Sequence, residues 1–289
     1  MNHKAKAYWQ LTKPRIVLMV LVTTVWGYLM ARSGGLLSML GERLFWMTML
    51  GTGLGASGAA VLNQYLERDT DALMQRTHKR PLPAGLVSPP EALAFGLWLV
   101  LVGTGLLLWQ VNLLTAFLVL STNFLYVLVY TPMKRYSELN ATFGSIPGAL
   151  PPVIGCTAVS NELTLEGLAL FAILFVWQHP HVYAIQWMCK EDFTRAGFKM
   201  LAVGDDGTRT KRHVILGTVL LIGVSLLPTL WGMAGWVYLV AALVMGVGLL
   251  LAGFRLTRSL DRESALGMMK ATIIYLPMLL ISFAVDALF

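Results

Sequence analysis

Apolar runs of about 20 residues, the length that crosses a bilayer's hydrocarbon core, recur along this 289-residue chain and alternate with short clusters of charge. Within that core only helices and closed barrels satisfy every backbone N–H and C=O. Continuous apolar runs of this length read as helices, since lipid-facing strands alternate. Spans are expected near 15–32, 44–64, 91–110, 112–131, 141–159, 165–188, 213–232, 234–254 and 269–287. The expected fold class is therefore all-α, a polytopic integral membrane protein with nine transmembrane helices around a central cavity open to the cytoplasmic side. One membrane domain over 1–289 accounts for the chain, because no internal repeat, low-complexity tract or soluble segment interrupts it. The balance of 56% hydrophobic to 13% charged residues excludes an ordinary soluble globule. The third and fourth spans are separated only by Gln110-Val111-Asn112, and the seventh and eighth by a turn near Gly232 and Gly235. Each pair is expected to form a tight antiparallel hairpin.

Charge sets the direction. With the N-terminus inside, all but two of the 22 Lys and Arg residues fall on the inner side; the exceptions are Arg32 and Arg43. The C-terminus, with Asp286 and Phe289, is then expected outside. The net charge of +7 reads as a topology signal rather than a nucleic-acid partner, and it draws anionic membrane lipid and phosphates to the inner face. Cys156 and Cys189 form no CxxC pair, which argues against a disulfide or cysteine metal site. Residues 1–10 carry no cleavable signal or transit pattern, so a bacterial inner membrane is the simplest address.

The second span runs straight into Asn63-Gln-Tyr-Leu-Glu67-Arg-Asp69-Thr-Asp71-Ala-Leu-Met-Gln-Arg76-Thr77-His-Lys79-Arg80. Residues i, i+4 and i+8 share a helical face, so Asn63, Glu67 and Asp71 would stack in a column. Two carboxylates and an amide oxygen suit a hard cation such as Mg²⁺, and Arg76, Lys79 and Arg80 would reach any anion that the metal bridges. A solvated loop of mixed charge would show the same residues. The fourth span carries Asn123, Tyr126, Tyr130 and Lys134 on one face and breaks at Pro132, delivering Lys134 and Arg135 as a loop pair. These two cations also suit plain topology anchors. The fifth span, with Gly144, Pro147, Gly148, Pro151 and Pro152, is expected to be kinked, and it reads as close helix contact or as room for a ligand.

The sixth span ends in Trp177-Gln178-His179-Pro180-His181, an unusual density of polar groups for a membrane helix. His181 reads either as a histidine bonded across helices or as a contact for a second substrate, with Trp177 on its face. The loop beyond, from Glu191 and Asp192 to Asp205 and Asp206, reads as further metal or phosphate contacts or as solvated charge. Channels and transporters are expected to keep polar groups near mid-membrane, whereas most of these lie at inner helix ends. The convergence suits a lipid diphosphate with its tail in the bundle. Metal and cations would stabilise departing diphosphate, and Tyr126, Tyr130 or Trp177 would shield the allylic cation. The residues themselves leave the acceptor open.

These motifs resemble the UbiA superfamily of intramembrane prenyltransferases and, within it, the haem O synthases. The superfamily's Asn-x-x-x-Asp-x-x-x-Asp is answered by Asn63, Glu67 and Asp71, with Glu67 in place of the usual Asp. The branch extension is answered by Asp69, Asp71, Met74, Arg76, Thr77, Arg80 and Pro81. Tyr130, Thr131, Lys134 and Arg135 answer the next motif, Tyr-Thr-x-x-x-Lys-Arg or a close variant, with two residues between the pairs here, and Pro151, Pro152 and Gly155 match the Pro-Pro-x-x-Gly after it. Trp177, Gln178, Pro180, His181, Asp192, Phe193, Ala196 and Gly197 match the last. The usual second acidic motif is reduced to adjacent Glu191 and Asp192.

The resemblance implies transfer of farnesyl from farnesyl diphosphate to a vinyl group of haem B, giving haem O. It implies Mg²⁺ on Asn63, Glu67 and Asp71, with Asp69 and Asp192 as further candidates, and Tyr130 among the catalytic residues. Diphosphate would be held by Arg76, Arg80, Lys134 and Arg135, and haem by His181 and Trp177. Haem A synthase or terminal-oxidase assembly proteins are the implied protein partners. Two other readings are a UbiA-type enzyme with an aromatic acceptor and a non-catalytic haem or lipid transporter.

Overall fold

The computed structural model describes residues 3–32 and 36–286. Its principal elements are α1 (His3–Leu11), α2 (Pro14–Met30), α3 (Arg43–Leu73), α4 (Pro89–Gln110), α5 (Leu113–Met133) and α6 (Asn140–Ser160). They continue as α7 (Leu165–Met188), α8 (Thr208–Leu230), α9 (Trp236–Ser259) and α10 (Arg262–Asp286). No strand occurs among the described residues. Eight described helices are long and apolar enough to cross a bilayer, and α1 with α2, bent by 43°, makes a ninth when counted as one span. The nine expected spans fall on α2 to α10. Ala287 of the last expected span and the C-terminal Phe289 lie outside the described residues. One boundary differs usefully from expectation: α3 does not stop near residue 64 but runs to Leu73, carrying the polar column on one unbroken helix.

Local chemistry explains the helix ends. Ser88 and Glu91 form a reciprocal capping box ahead of Pro89, which has no N–H to leave unsatisfied. Asn112 caps α5 by accepting from the Thr115 N–H at 2.8 Å, which turns Gln110-Val111-Asn112 into the expected hairpin. Asp286 accepts from the Gly235 and Val237 N–H groups, so the end of α10 caps the start of α9.

Close approach sets the crossing of α2 and α6. A Cβ on Gly27 would lie 1.8 Å from the Pro152 carbonyl oxygen, and one on Gly155 would lie 2.0 Å from the Thr24 carbonyl oxygen. Small residues permit that contact where no hydrophobic drive separates helix from lipid. The Pro-Pro-x-x-Gly string thus serves helix contact through Pro152 and Gly155, while Pro151 faces the cavity. Large apolar side chains such as Trp98, Leu101, Phe117, Leu128, Val244 and Ile274 point outward, as a lipid-facing surface requires. Inside, α2, α3, α5, α6, α7 and α10 line a cavity of about 770 Å³.

Candidate active site

Because α3 is continuous, Asn63, Glu67 and Asp71 lie in one column, and all three are buried, at 1%, 6% and 0% exposure. Each meets a cation from a different segment. Lys13 Nζ donates to Asn63 Oδ1 at 2.7 Å, Lys134 Nζ to Glu67 Oε1 at 2.6 Å, and Arg80 Nη1 to Asp71 Oδ2 at 2.6 Å. Lys13 adopts φ 50°, a left-handed backbone that is uncommon away from glycine, and it stands before Pro14, where ordinary helical geometry is disfavoured. Gln64 secures the same bend by donating to the Leu11 carbonyl at 2.7 Å. Backbone strain of this kind persists where surrounding contacts hold it, and here it delivers the Lys13 amine to the column, where burial and the neighbouring Arg80 push its pKa down to about 7.

Burial disfavours the Lys134 ammonium, but the Glu67 carboxylate and the Tyr130 and Tyr126 phenols outweigh that and raise its pKa above the ordinary lysine value. Asp71 Oδ1 is buried with no hydrogen-bond partner among the described residues. An unpaired carboxylate oxygen in such a place is costly unless a ligand completes it. Among the described residues no three His, Cys, Asp or Glu side chains gather as a metal cage. Two carboxylates and an amide do suit Mg²⁺, which prefers one or two protein carboxylates and takes its remaining ligands from phosphate and water.

The end of α5 widens into a π-helical turn over Leu125–Tyr130, where the Thr131 N–H reaches back to the Tyr126 carbonyl. Pro132 has no N–H with which to continue an α-helical ladder, and single π turns are frequent at functional sites. Tyr126 and Tyr130 pair with ring centroids 5.3 Å apart, and Lys134 Nζ stands 4.5 Å from the Tyr130 ring centre. Gly144 makes room for that ring: a Cβ there would lie 2.6 Å from Tyr130 Cδ2. Thr131 links both groups, accepting from Asn63 Nδ2 at 3.0 Å and donating to the Tyr126 carbonyl at 2.8 Å.

The loop after α3 is pinned by the segment that follows α7. Asp192 accepts from the Gln75 N–H at 3.0 Å and the Arg76 N–H at 3.3 Å, and it pairs with Arg195. Its oxygens are thus committed to a tether rather than turned to the column. Arg76 is exposed, its guanidinium 5.1 Å from the Phe193 ring centre. Arg135 is exposed as well. Asp69 is 75% exposed, lies off the column and pairs with Arg68 at 3.6 Å.

Lys13, Tyr126 and Tyr130 line the cavity and so join it to the column. Farther in, Trp177 and His181 also line it, their rings stacked at 4.8 Å and 15°. Thr272 of α10 holds both: its carbonyl accepts from Trp177 Nε1 at 2.7 Å, and its hydroxyl meets His181 Nδ1 at 2.8 Å. Thr52 and Asn123, also in the lining, each bury a side-chain oxygen without a partner among the described residues. The structure therefore brings Asn63, Glu67, Asp71, Arg80, Tyr130 and Lys134 together at one end, with Trp177 and His181 in the adjoining cavity. In the sequence Lys13 reads as one of the inner-side charges, and Thr272 belongs to no motif. The Lys-Pro break at Lys13 was the one available signal; a lone threonine in a membrane helix offers none.

Residues 20–276 match the model of the UbiA prenyltransferase family. A protein of Solibacter usitatus (strain Ellin6076) named protoheme IX farnesyltransferase is 45% identical over 279 residues, which cover 94% of this chain and 95% of that protein. One of the same name from Marinobacter nauticus (strain ATCC 700491 / DSM 11845 / VT8) is 40% identical over 284 residues, covering 96% and 91%. Among solved structures, that of a digeranylgeranylglyceryl phosphate synthase superposes with a TM-score of 0.80 at 18% identity, covering 98% of each chain. A UbiA homolog from Archaeoglobus fulgidus bound to GPP and Mg²⁺ superposes with a TM-score of 0.63 at 16% identity, covering 97% and 99%. At those identities the structural likeness speaks for the fold.

Proposed function

The chain belongs to the UbiA prenyltransferase family, and from that premise we propose that it transfers farnesyl from farnesyl diphosphate to a vinyl group of haem B, making haem O. The observation that carries this reading is the junction of two chemistries. A buried acid–amide column ringed by Lys13, Arg80 and Lys134 opens, through Tyr126 and Tyr130, on an apolar cavity that also exposes Trp177 and His181. A cavity of about 770 Å³ has room for an isoprenoid chain. Two relatives of near-full-length match carry the name of this activity.

Asn63, Glu67 and Asp71 would hold Mg²⁺, as the orphaned Asp71 Oδ1 favours. When bound, that ion would supply positive charge to the departing diphosphate. Lys13, Arg80 and Lys134 then pair with phosphate oxygens, with Arg76 and Arg135 on the exposed rim. The bond between farnesyl C1 and the diphosphate oxygen breaks. Tyr126 and Tyr130 present their ring faces to the allylic cation, and the apolar cavity withholds bulk water until transfer. Trp177 and His181 seat the porphyrin so that the terminal vinyl carbon forms the new C–C bond. Water adds at the neighbouring carbon, and its proton is lost.

The protein is a multi-pass integral membrane protein. We place it in a bacterial inner membrane with the basic face and N-terminus cytoplasmic and the C-terminus outside. The test is purified protein with haem B, farnesyl diphosphate and Mg²⁺, its product read by mass spectrometry. Haem O is expected, and Asp71→Asn should cut turnover by about 10³-fold, the scale of losing a main electrostatic contact at the reacting centre. Prenylation of an aromatic acceptor without haem O would overturn the acceptor. No product with any acceptor would point to a transporter.

A further inference from the structure

The two histidines of the Trp-Gln-His-Pro-His string sit in different hydrogen-bond settings. His179 Nδ1 meets the Phe175 carbonyl at 2.9 Å, and its Nε2 meets Thr142 Oγ1 at 3.4 Å. A carbonyl only accepts, so Nδ1 of His179 carries the proton and both its nitrogens are engaged. His179 is not in the cavity lining; His181 is.

At His181 the logic runs through Thr272. The Thr272 hydroxyl has one proton, and it donates that proton to the Met269 carbonyl at 2.6 Å, one turn back along α10. Toward His181 Nδ1, 2.8 Å away, the same oxygen can then only accept. The proton in that contact belongs to Nδ1. None of the ion pairs of the described residues involves His181, and an unpaired cation at this depth is expensive, so the ring is neutral. A neutral ring protonated at Nδ1 carries its lone pair on Nε2, and no hydrogen bond of the described residues occupies that nitrogen. The Thr272 carbonyl meanwhile accepts from Trp177 Nε1 at 2.7 Å, so one residue fixes both rings of the 15° stack.

We propose that Thr272 is a positioning residue for haem B: it holds His181 as the Nδ1–H tautomer and so presents Nε2 as an axial donor to the haem iron. This rests on the haem reading above. It explains why a threonine on the last helix, outside every motif that carried the resemblance, meets the sixth-span string. Metal-ligating histidines are set in the same manner by a partner at the other nitrogen.

The test has a ligand-free arm and a haem arm. In the first, full-length protein labelled with ¹⁵N-histidine is read by NMR, with the His181 signals assigned by their loss in His181→Gln. Wild type and Thr272→Ser should show protonated Nδ1, and Thr272→Val should shift population toward protonated Nε2. In the second, haem B is titrated into each protein and followed by its optical spectrum. Wild type and Thr272→Ser should share one ligation signature, His181→Gln should lose it, and Thr272→Val should bind haem B about tenfold more weakly. Protonated Nε2 in wild type, or an unchanged tautomer in Thr272→Val, overturns the role of Thr272. If the tautomer is as stated but His181→Gln keeps the wild-type haem spectrum, axial ligation falls instead. The wild-type NMR reading stands even if Thr272→Val fails to fold.

Discussion

Where the polar column meets the cavity, here termed its mouth, Glu67 and Asp71 reach Lys134 and Arg80, so formal charges are matched by formal charges delivered from separate loops. At the proposed acceptor end, Trp177 and His181 are held by neutral hydrogen bonds to one residue, Thr272, on a packed helix. The difference separates two tasks. Ion pairs can trade partners when another charge arrives, which suits a place where metal and diphosphate must enter and leave. A ring fixed by a hydroxyl and a carbonyl keeps its geometry whether or not a ligand is present, which suits a place where orientation decides which atom reacts. Asp71 shows the first case most clearly: Arg80 takes one oxygen, and the other is buried without a partner among the described residues.

The largest effect is expected at the mouth. Lys134→Met would leave the Glu67 carboxylate buried opposite an apolar side chain, a loss of about 3–5 kcal/mol for a broken buried pair. Thermal unfolding in detergent should show a clearly lowered midpoint, and Lys134→Met with Glu67→Gln should recover most of it while remaining inactive. A single variant as stable as wild type would mean that the mouth is not locked by charge, and the contrast with the acceptor end would fail.

Trp177→Phe sharpens the other side. It keeps an aromatic face beside His181 but removes the Nε1–H that meets the Thr272 carbonyl at 2.7 Å. The Thr272 carbonyl keeps its place in the helical ladder of α10, so losing the indole bond should cost about 0.5–1.5 kcal/mol, and steady-state kinetics should show a KM for haem B raised by up to about tenfold. The KM for farnesyl diphosphate should stay put. If both rise together, the two ends are not independent.

Most of the mouth was legible in the sequence because helical periodicity is a local rule. Once α3 is one helix, Asn63, Glu67 and Asp71 must share a face, and Pro132 must end α5 just ahead of Lys134. The apolar runs gave the spans for the same reason. What escaped was set by contacts between segments far apart in the chain. Lys13 reaches Asn63 only because α1 and α2 bend by 43° at a left-handed residue. Thr272 meets His181 only because α10 packs beside α7, a pairing that no local pattern encodes. Pro151 and Pro152 suggested a shaped cavity, and one of the two does line it. The other has its carbonyl against Gly27, a division that depends on where α2 crosses.

The smallest effect concerns Asp192, on the loop that clamps the mouth. Burial pushes its carboxyl upward, but the Gln75 N–H, Arg195 and the Arg76 N–H outweigh that and hold it below the ordinary aspartate value. A carboxyl lowered in the folded state contributes stability that is present above its unfolded value, about 3.9, and lost as pH falls through the folded one. Protection of the Gln75 and Arg76 amides from hydrogen exchange should therefore be constant through neutral pH and fade only in acid, once the intrinsic rate is corrected for. Asp192→Ala should lower that protection by about tenfold at neutral pH, the scale of about 1 kcal/mol for a lost cap, with the buried column untouched. Amides already unprotected in wild type at neutral pH would free Asp192 from the tether. Its carboxylate would then be available to a cation, and the mouth would hold a third acid.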